Sequence, residues 1–337
     1  MLDLSYYNLH NHPDITALEW NSEEEWHELR SQGVGGSDAG AIMSISKYKT
    51  PLKVYKVKKG IVIEDVSNVV AIKKGNDLEA LIRDLYVAPH FREMGYHVVH
   101  PECMFVNKTC PWLRANLDGI AVPLIQPASY HSNLVIEIKW VSEYGEANWN
   151  GDAYFGIPAD YYAQVQHYMT VTGATNAYVC ALFDRDWTMH YYRIPYDITF
   201  ATRLLSDTEK FYRTNLLQGI PPMLNPTLDK EDAVKALDNM PKTFSYSDEI
   251  SGKCEQYLYL KNNIKELSAE ADALQQEILQ GYYSGVLPTG AYSVNVSKIT
   301  RSGIDTTKLK EEYPDVYEAC VTTSEVTRNT IKTKRAR

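Results

Sequence analysis

From about residue 15 to residue 223 the apolar positions alternate between helical and strand spacing. Residues 22–32 read as a helix capped by Asn21 or Ser22. After the turn Gly33-Val34-Gly35-Gly36 a second short helix starts near Ser37 or Asp38, and Thr50-Pro51 marks another helix start, because proline is favoured in the first turn. Residues 76–88 predict a longer helix with Leu78, Leu81, Ile82 and Leu85 on one stripe. Strands are expected at 96–105, 114–122 and 134–140, separated by proline-containing or polar turns. A helix at 160–172 carries Tyr161, Val165, Tyr168 and Met169 on its apolar side, and strands at 174–182 and 188–194 flank a turn at Asp184–Asp186. This order of helix, three strands, helix and two strands predicts an α/β fold, a central mixed β-sheet flanked by helices.

The pattern changes at Pro221-Pro222, so the core is expected to span 1–223 and residues 224–250, which lack periodicity, to be a linker. Residues 251–337 form a helical/β appendage in this reading. Its helix is marked by Tyr257, Leu260, Ile264, Leu267, Ala271, Leu274 and Ile278, a heptad-like stripe of about three heptads that suits packing on its own domain as well as an intermolecular coiled coil. Residues 290–299 and 326–332 are expected to pair as strands, and the last ten residues form a basic tail.

Composition narrows the class. A 337-residue chain that is 44% hydrophobic and 23% charged is an ordinary globular protein, neither disordered nor collagen-like. No apolar run approaches the roughly 20 residues that span a bilayer, and the N-terminus lacks a signal pattern, so a cytoplasmic protein without membrane contact is expected. Cys103, Cys110, Cys180, Cys254 and Cys320 are dispersed and read as reduced thiols, not as a disulfide or zinc framework. With 34 Lys+Arg against 43 Asp+Glu the net charge is −9, which argues against non-specific coating of nucleic acid. Residues 47–60, however, hold six lysines and no acid; Lys49, Lys53 and Lys56 follow helical spacing as a candidate basic face for DNA backbone contacts.

The most informative stretch is Val135-Ile136-Glu137-Ile138-Lys139. Side chains on a strand alternate faces, so Glu137 and Lys139 project together while Ile136 and Ile138 enter the core on the other side. By itself the triplet reads as a cross-strand ion pair. A divalent metal and a water would also use it, the carboxylate ligating Mg²⁺ and the lysine orienting the attacking water or helping to deprotonate it. The preceding strand ends Asn116-Leu117-Asp118-Gly119, and Asp118 followed by Glu137-x-Lys139 matches the acid, spacer, acid-x-lysine arrangement of the PD-(D/E)XK nucleases. Glu79 borders the stripe of its helix, where the alternative is a surface pair with Arg83. Gln164 falls between Tyr161 and Tyr168, and its amide needs partners, either a backbone group or the site carboxylates and a substrate phosphate. Arg30 supplies a planar cation suited to phosphate, Ser37 sits at a helix opening suited to anions, and Asp38 would oppose a phosphate unless it serves as the cap.

Taken together, Trp26-x-x-x-Arg30, Gly35-Gly36-Ser37-Asp38, Gly75-Asn76-x-x-Glu79, Ala115-Asn116-Leu117-Asp118-Gly119, Glu137-x-Lys139 and Tyr162-Ala163-Gln164-Val165-Gln166 resemble the YqaJ-like viral recombinase family, which is phage lambda exonuclease-like and belongs to the PD-(D/E)XK superfamily. The likeness covers about residues 20–222. It implies a PD-(D/E)XK nuclease core and a Mg²⁺-dependent exonuclease, with Mn²⁺ able to substitute, that digests the 5′-ended strand of linear duplex DNA and leaves 3′ overhangs for a single-strand annealing protein. It further implies Asp118, Glu137 and Ile138 as metal ligands, Lys139 acting on the water, Glu79 and Gln164 completing the site, and Arg30 and Ser37 holding the 5′-phosphate. A homo-oligomer, a trimer by analogy, in the bacterial host cytoplasm is implied as well. Two departures are Leu117 in place of the motif's proline and Asn116 where a phosphate-contacting serine is expected. The rival readings are a PD-(D/E)XK endonuclease and a non-catalytic DNA-binding or assembly module that keeps the fold.

Overall fold

The computed structural model describes residues 13–62, 70–124, 133–238, 247–286 and 303–321, with residues 294 and 296. Two compact units are present, Met1–Asp229 and Lys230–Arg337. The first extends past residue 223 because Asp229 is tied into it: its carboxylate accepts the Thr50 hydroxyl at 2.5 Å and the Asn225 N–H at 2.9 Å.

In this unit β1 (Ile15–Leu18) precedes α1 (Glu23–Ser31), which starts where Ser22 accepts the Glu25 N–H and three glutamates meet the positive end of the helix dipole. β2 (Val34–Gly35) runs directly into α2 (Gly36–Ile42), and Thr50 caps α3 (Pro51–Lys58) by accepting the Lys53 N–H. α4 (Val70–Ile82) continues through a π turn, Arg83–Val87, into α5 (Ala88–Glu93). The π turn corrects the expected stripe. Leu81 and Leu85 are 52% and 64% exposed, whereas Ile82, Val87 and Phe91 are buried. Each π hydrogen bond spans one residue more than an α bond, so the inward line passes from Ile82 to Val87 and bypasses Leu85.

The stretch expected as one strand at 96–105 is two, β3 (Tyr96–Val99) and β4 (Met104–Asn107), parted at Pro101, which has no N–H for a ladder. The next also divides, into β5 (Leu113–Arg114) and β6 (Gly119–Pro123). β7 (Leu134–Val141) follows, then α6 (Ala159–Thr172), β8 (Asn176–Phe183) and β9 (Thr188–Pro195). The central sheet has the order β3-β6-β7-β8-β9, with β7 and β8 parallel and the other neighbours antiparallel. α6 is the crossover that a parallel pair requires. β1 pairs with β4 and β2 with β5 in two separate two-stranded sheets.

The sheet is buried on both faces. Val135, Val141, Val179 and Phe183 pack in one apolar cluster with α6 residues Ala163, Val165 and Met169. Ile136, Ile138, Cys180 and Leu182 pack on the opposite side with Ile82, Val87 and Phe91. Phe91 is fully enclosed, and truncating such a side chain to alanine costs about 3–5 kcal/mol. α7 (Ile198–Lys210), running into a π turn at Phe211–Leu217, was not anticipated. Its signals are in the chain: Asp197 accepts the Thr199 and Phe200 N–H groups, and Ala201, Leu204, Thr208 and Phe211 recur at spacings of three and four as its buried line.

The second unit contains α8 (Lys230–Asp238), a helix inside the stretch expected as linker, then α9 (Asp248–Tyr283), α10 (Thr306–Glu312) and α11 (Pro314–Cys320). α9 is 36 residues long, is capped by Ser247, carries the heptad-like stripe and buries none of its residues. Apart from residues 294 and 296, the expected strands at 290–299 and 326–332 and the basic tail lie outside the described residues. No helix among the described residues is long and apolar enough to cross a membrane.

Candidate active site

The site forms where β6 and β7 part. Their last paired residues at this end are Gly119 and Ile136, so beyond them the β6 side of β7 has no strand partner among the described residues. Asp118, the residue before β6, fills the gap: its Oδ2 accepts the Ile138 N–H at 2.8 Å. The N–H and C=O of one strand residue project to the same side. The Ile138 carbonyl therefore faces the same opening as the Asp118 carboxylate.

Glu137 and Lys139 lie on the α6 side of β7, with Val179 and Ala181 as their neighbours on β8. Glu137 is fully buried, and the Lys139 ammonium donates to its Oε1. The same ammonium lies 5.0 Å from the centre of the Tyr161 ring, a cation–π contact at the start of α6. Burial and the Asp118 charge push the Glu137 carboxyl up to about 8, Lys139 opposing. Burial would depress Lys139, but Glu137 and Asp118 reverse this and hold its pKa above the ordinary lysine value. Glu79, on α4, is raised to about 7 by burial and Asp118. The alternative pairing of Glu79 with Arg83 is not the one Arg83 makes; its guanidinium points to the Asp118 carbonyl at 3.5 Å and to Asp84 at 3.3 Å.

Gln164 reaches the site because α2 and α6 pack closely. A Cβ at Gly36 would lie 2.4 Å from Tyr168 and 3.1 Å from Gln164, so only glycine permits the approach. Gln164 Nε2 donates to the Tyr168 hydroxyl at 3.0 Å.

Around the start of α2 the charges are arranged in a network. Arg30 donates to Ser37 Oγ at 3.0 Å and its guanidinium stacks over Trp26, 5.1 Å from the ring centre. Asp38 points inward: it accepts the Gly35 N–H at 3.2 Å and pairs with Lys58 at 2.9 Å and Lys49 at 3.3 Å. Burial opposes its charge, yet Lys58, Lys49 and Arg30 together hold its carboxyl well below the usual range. Asp38 is therefore not the cap itself, which is Gly35, but the third residue of α2 reaching back to the Gly35 N–H, with its charge paired to lysines.

A cleft of about 1060 Å³ joins these parts, and Arg30, Ser37, Glu79, Asp118, Glu137, Ile138, Lys139 and Gln164 all line it. Lys49, Lys53 and Lys56 are not among its lining residues. Lys49 precedes α3, with its ammonium on Asp38, so only Lys53 and Lys56 of that expected face are on the helix. Residues that pattern reading assigned to other roles stand out here. Tyr161 and Tyr168 counted as apolar stripe and Lys58 had no role beyond being one of the six lysines at 47–60, because spacing does not reveal what a phenol or ammonium contacts.

Whether these residues fit a divalent cation can be judged from one atom. Glu137 Oε2 is buried and has no hydrogen-bond partner among the described residues, a costly position for a carboxylate oxygen unless a cation meets it. Among the described residues no group of three His, Cys, Asp or Glu side chains could hold an ion by itself. The donors that fit are therefore Asp118, Glu137 and the Ile138 carbonyl, all oxygen, the set hard cations prefer.

Residues 25–175 match the YqaJ-like viral recombinase domain. An uncharacterized Bacillus subtilis (strain 168) protein, YqaJ, is 28% identical over 308 residues, 88% of this chain and 90% of its own. Among solved structures, the alkaline exonuclease LHK-Exo of Laribacter hongkongensis is 19% identical, with a TM-score of 0.44 over 64% of this chain and 100% of its own. LHK-Exo in complex with dAMP is 21% identical, with a TM-score of 0.45 over 58% and 93%. The motif residues from Arg30 to Gln164 all fall inside the matched segment, so the part of the chain that carries the site is the part that is similar to the YqaJ-like viral recombinase domain.

Proposed function

We propose that the protein is a divalent-metal-dependent deoxyribonuclease that works from the ends of linear double-stranded DNA. It digests the 5′-ended strand and leaves 3′ single-stranded overhangs for a strand-annealing protein in homologous recombination. The observation that carries this reading is the fully buried Glu137, one oxygen held by Lys139 and the other bare, beside Asp118 at the point where the sheet opens. The family match supports the same assignment.

Asp118, Glu137 and the Ile138 carbonyl would hold the ion, with Mg²⁺ the first choice and Mn²⁺ a substitute. When bound, such an ion supplies charge that polarises a phosphodiester and acidifies a water molecule. Lys139, kept protonated by two carboxylates and seated on Tyr161, serves as a hydrogen-bond donor that orients water or phosphate and not as a base. Glu79, raised to about 7 and not among the donors that would hold the ion, is a group in the cleft able to take up a proton near neutrality. Arg30 and Ser37 present a guanidinium and a hydroxyl suited to a terminal 5′-phosphate. In this reading Lys53 and Lys56 of α3 add backbone contacts, and the protein works as a homo-oligomer, a trimer by analogy with the family it resembles.

The test is a digestion time course on 5′-phosphorylated linear, 5′-hydroxyl linear and closed circular DNA, with Mg²⁺ or a chelator. Linear DNA should be shortened from its 5′ ends only with metal, and Glu137→Ala or Lys139→Ala should abolish this without unfolding the protein. Metal-dependent digestion retained by either variant would overturn the assignment, and cleavage of closed circles would make the enzyme an endonuclease.

A further inference from the structure

We propose that the segment between β7 and α6 carries a stacking site for an unpaired nucleobase of the DNA end, with the Tyr154 ring as its platform; this rests on the DNA-end reading above. Tyr154 lines the same cleft as Asp118 and Glu137. Of the described non-glycine residues with positive φ, three lie in this one segment: Asn150 at 60°, Tyr154 at 53° and Phe155 at 57°. Asparagine tolerates the left-handed region, but two consecutive aromatic residues there are strained, and such strain persists only where the surroundings over-determine it.

The surroundings do so here. The Asn150 N–H donates to the Gly156 carbonyl at 2.7 Å, and the Tyr192 hydroxyl donates to Asn150 Oδ1 at 2.7 Å. Behind the strained pair stands Tyr162, its ring 5.0 Å from that of Tyr154 and near-parallel to that of Phe155 at 6.3 Å. Tyr162 is itself fixed by its hydroxyl on Asp197 at 3.1 Å and by the edge of Phe200. The result is a held aromatic cluster in which the Tyr154 ring, tilted 41° to that of Tyr162, remains 37% exposed and Phe155 55% exposed.

Charge decides what this surface suits. Residues 142–158 contain Glu143, Glu146 and Asp152 and no lysine or arginine. A phosphate backbone is repelled by such a segment, whereas the face of a base has no charge and stacks on an aromatic ring irrespective of sequence. The phosphate-binding residues Arg30 and Ser37 line the same cleft, so the backbone of an end and its unpaired base have separate seats.

The test uses the full chain and a duplex with a short unpaired end carrying the fluorescent base 2-aminopurine, with Ca²⁺ replacing Mg²⁺ to hold the complex. Binding should quench the probe with the wild type and with Tyr154→Phe, and not with Tyr154→Asn, in which asparagine keeps the left-handed backbone and a melting temperature at or above that of the wild type. Tyr154→Asn should weaken binding on the order of tenfold, as loss of one base–aromatic stack does. Replacing the base by an abasic residue should weaken the wild type by the same factor and the variant no further. Equal affinity and quenching in Tyr154→Asn and the wild type, or two losses that multiply independently, would overturn the stacking site while leaving the nuclease reading intact. A wild type that neither binds nor digests DNA ends overturns both.

Discussion

The Asp118 carboxylate takes the Ile138 N–H at 2.8 Å, a hydrogen bond made where the next strand pairing would otherwise have been. One side chain thus ends the β6–β7 ladder and sets an anion beside Glu137. The two roles separate by substitution. Asp118→Ala leaves the N–H without its acceptor and should lower stability by about 1–3 kcal/mol in denaturant unfolding. Asp118→Asn keeps an acceptor oxygen and should fold nearly as stably, yet lose metal-dependent digestion. Full activity in the asparagine variant would remove Asp118 from the metal site.

Glu137 is raised to about 8 and Glu79 to about 7, so both carboxyls are protonated in the metal-free protein at lower pH. A cation must displace those protons, and its affinity should climb with pH, by up to about tenfold per unit for each proton released, before flattening above about 8. Calorimetric titration with Mn²⁺ from pH 6 to 9 measures this. The folded pKa of each lies above its unfolded value, so the metal-free fold binds more protons than the unfolded chain and loses stability as pH rises from about 4.5 toward 8. Glu137→Gln should flatten that fall; a pH-independent affinity would contradict the raised values.

Arg30 is pre-oriented by Ser37 and Trp26. If it holds a terminal phosphate, Arg30→Ala should slow digestion of 5′-phosphorylated ends about tenfold or more, the worth of a hydrogen bond to a charged group, and affect 5′-hydroxyl ends far less. Rates on matched substrates decide this, and equal losses on both would place Arg30 outside end recognition.

His167 links the site helix to β5. It is fully buried and its Nε2 donates to the Arg114 carbonyl at 3.0 Å, which leaves Nδ1 without a partner and the ring neutral. Burial lowers its pKa to about 4 from 6.5. Between those values the unfolded chain takes up a proton that the folded one does not, so the contribution of His167 to stability falls as pH drops from 6.5 to 4, by on the order of 3 kcal/mol, against the opposite trend of Glu137 and Glu79. The contribution is read as a difference: in urea unfolding across that range the stability of the wild type relative to His167→Gln should fall as pH drops, and a constant difference would contradict the lowered value.

Some of this molecule was written in local pattern. Ser22 and Thr50 cap their helices as read, and strand alternation places Glu137 with Lys139 and Ile136 with Ile138 on opposite faces. Arg30, Ser37, Glu79, Asp118, Glu137, Lys139 and Gln164, far apart in the chain, line one cleft. Pattern alone did not reveal α7, whose cap and buried spacing are ordinary but lie outside any motif.

What lies between near neighbours in sequence is decided by the chain, and what lies between distant ones is decided by the fold. Caps and strand faces depend on residues one to four apart, so they are determined before any packing occurs. The inward line through Val87 depends on a π turn that packing against the sheet selects, and the basic strip at 47–60 yields Lys49 and Lys58 to Asp38 because burial makes an unpaired carboxylate costly. The net charge of −9 is likewise not spread evenly in its effect: Asp38 is neutralised internally, while Asp118, Glu79 and Glu137 are drawn together at the opening of the sheet. Only tertiary structure could set those carboxyls side by side, since their mutual repulsion is overcome by packing contacts elsewhere and offset by Lys139, whose position on β7 the sequence already contained.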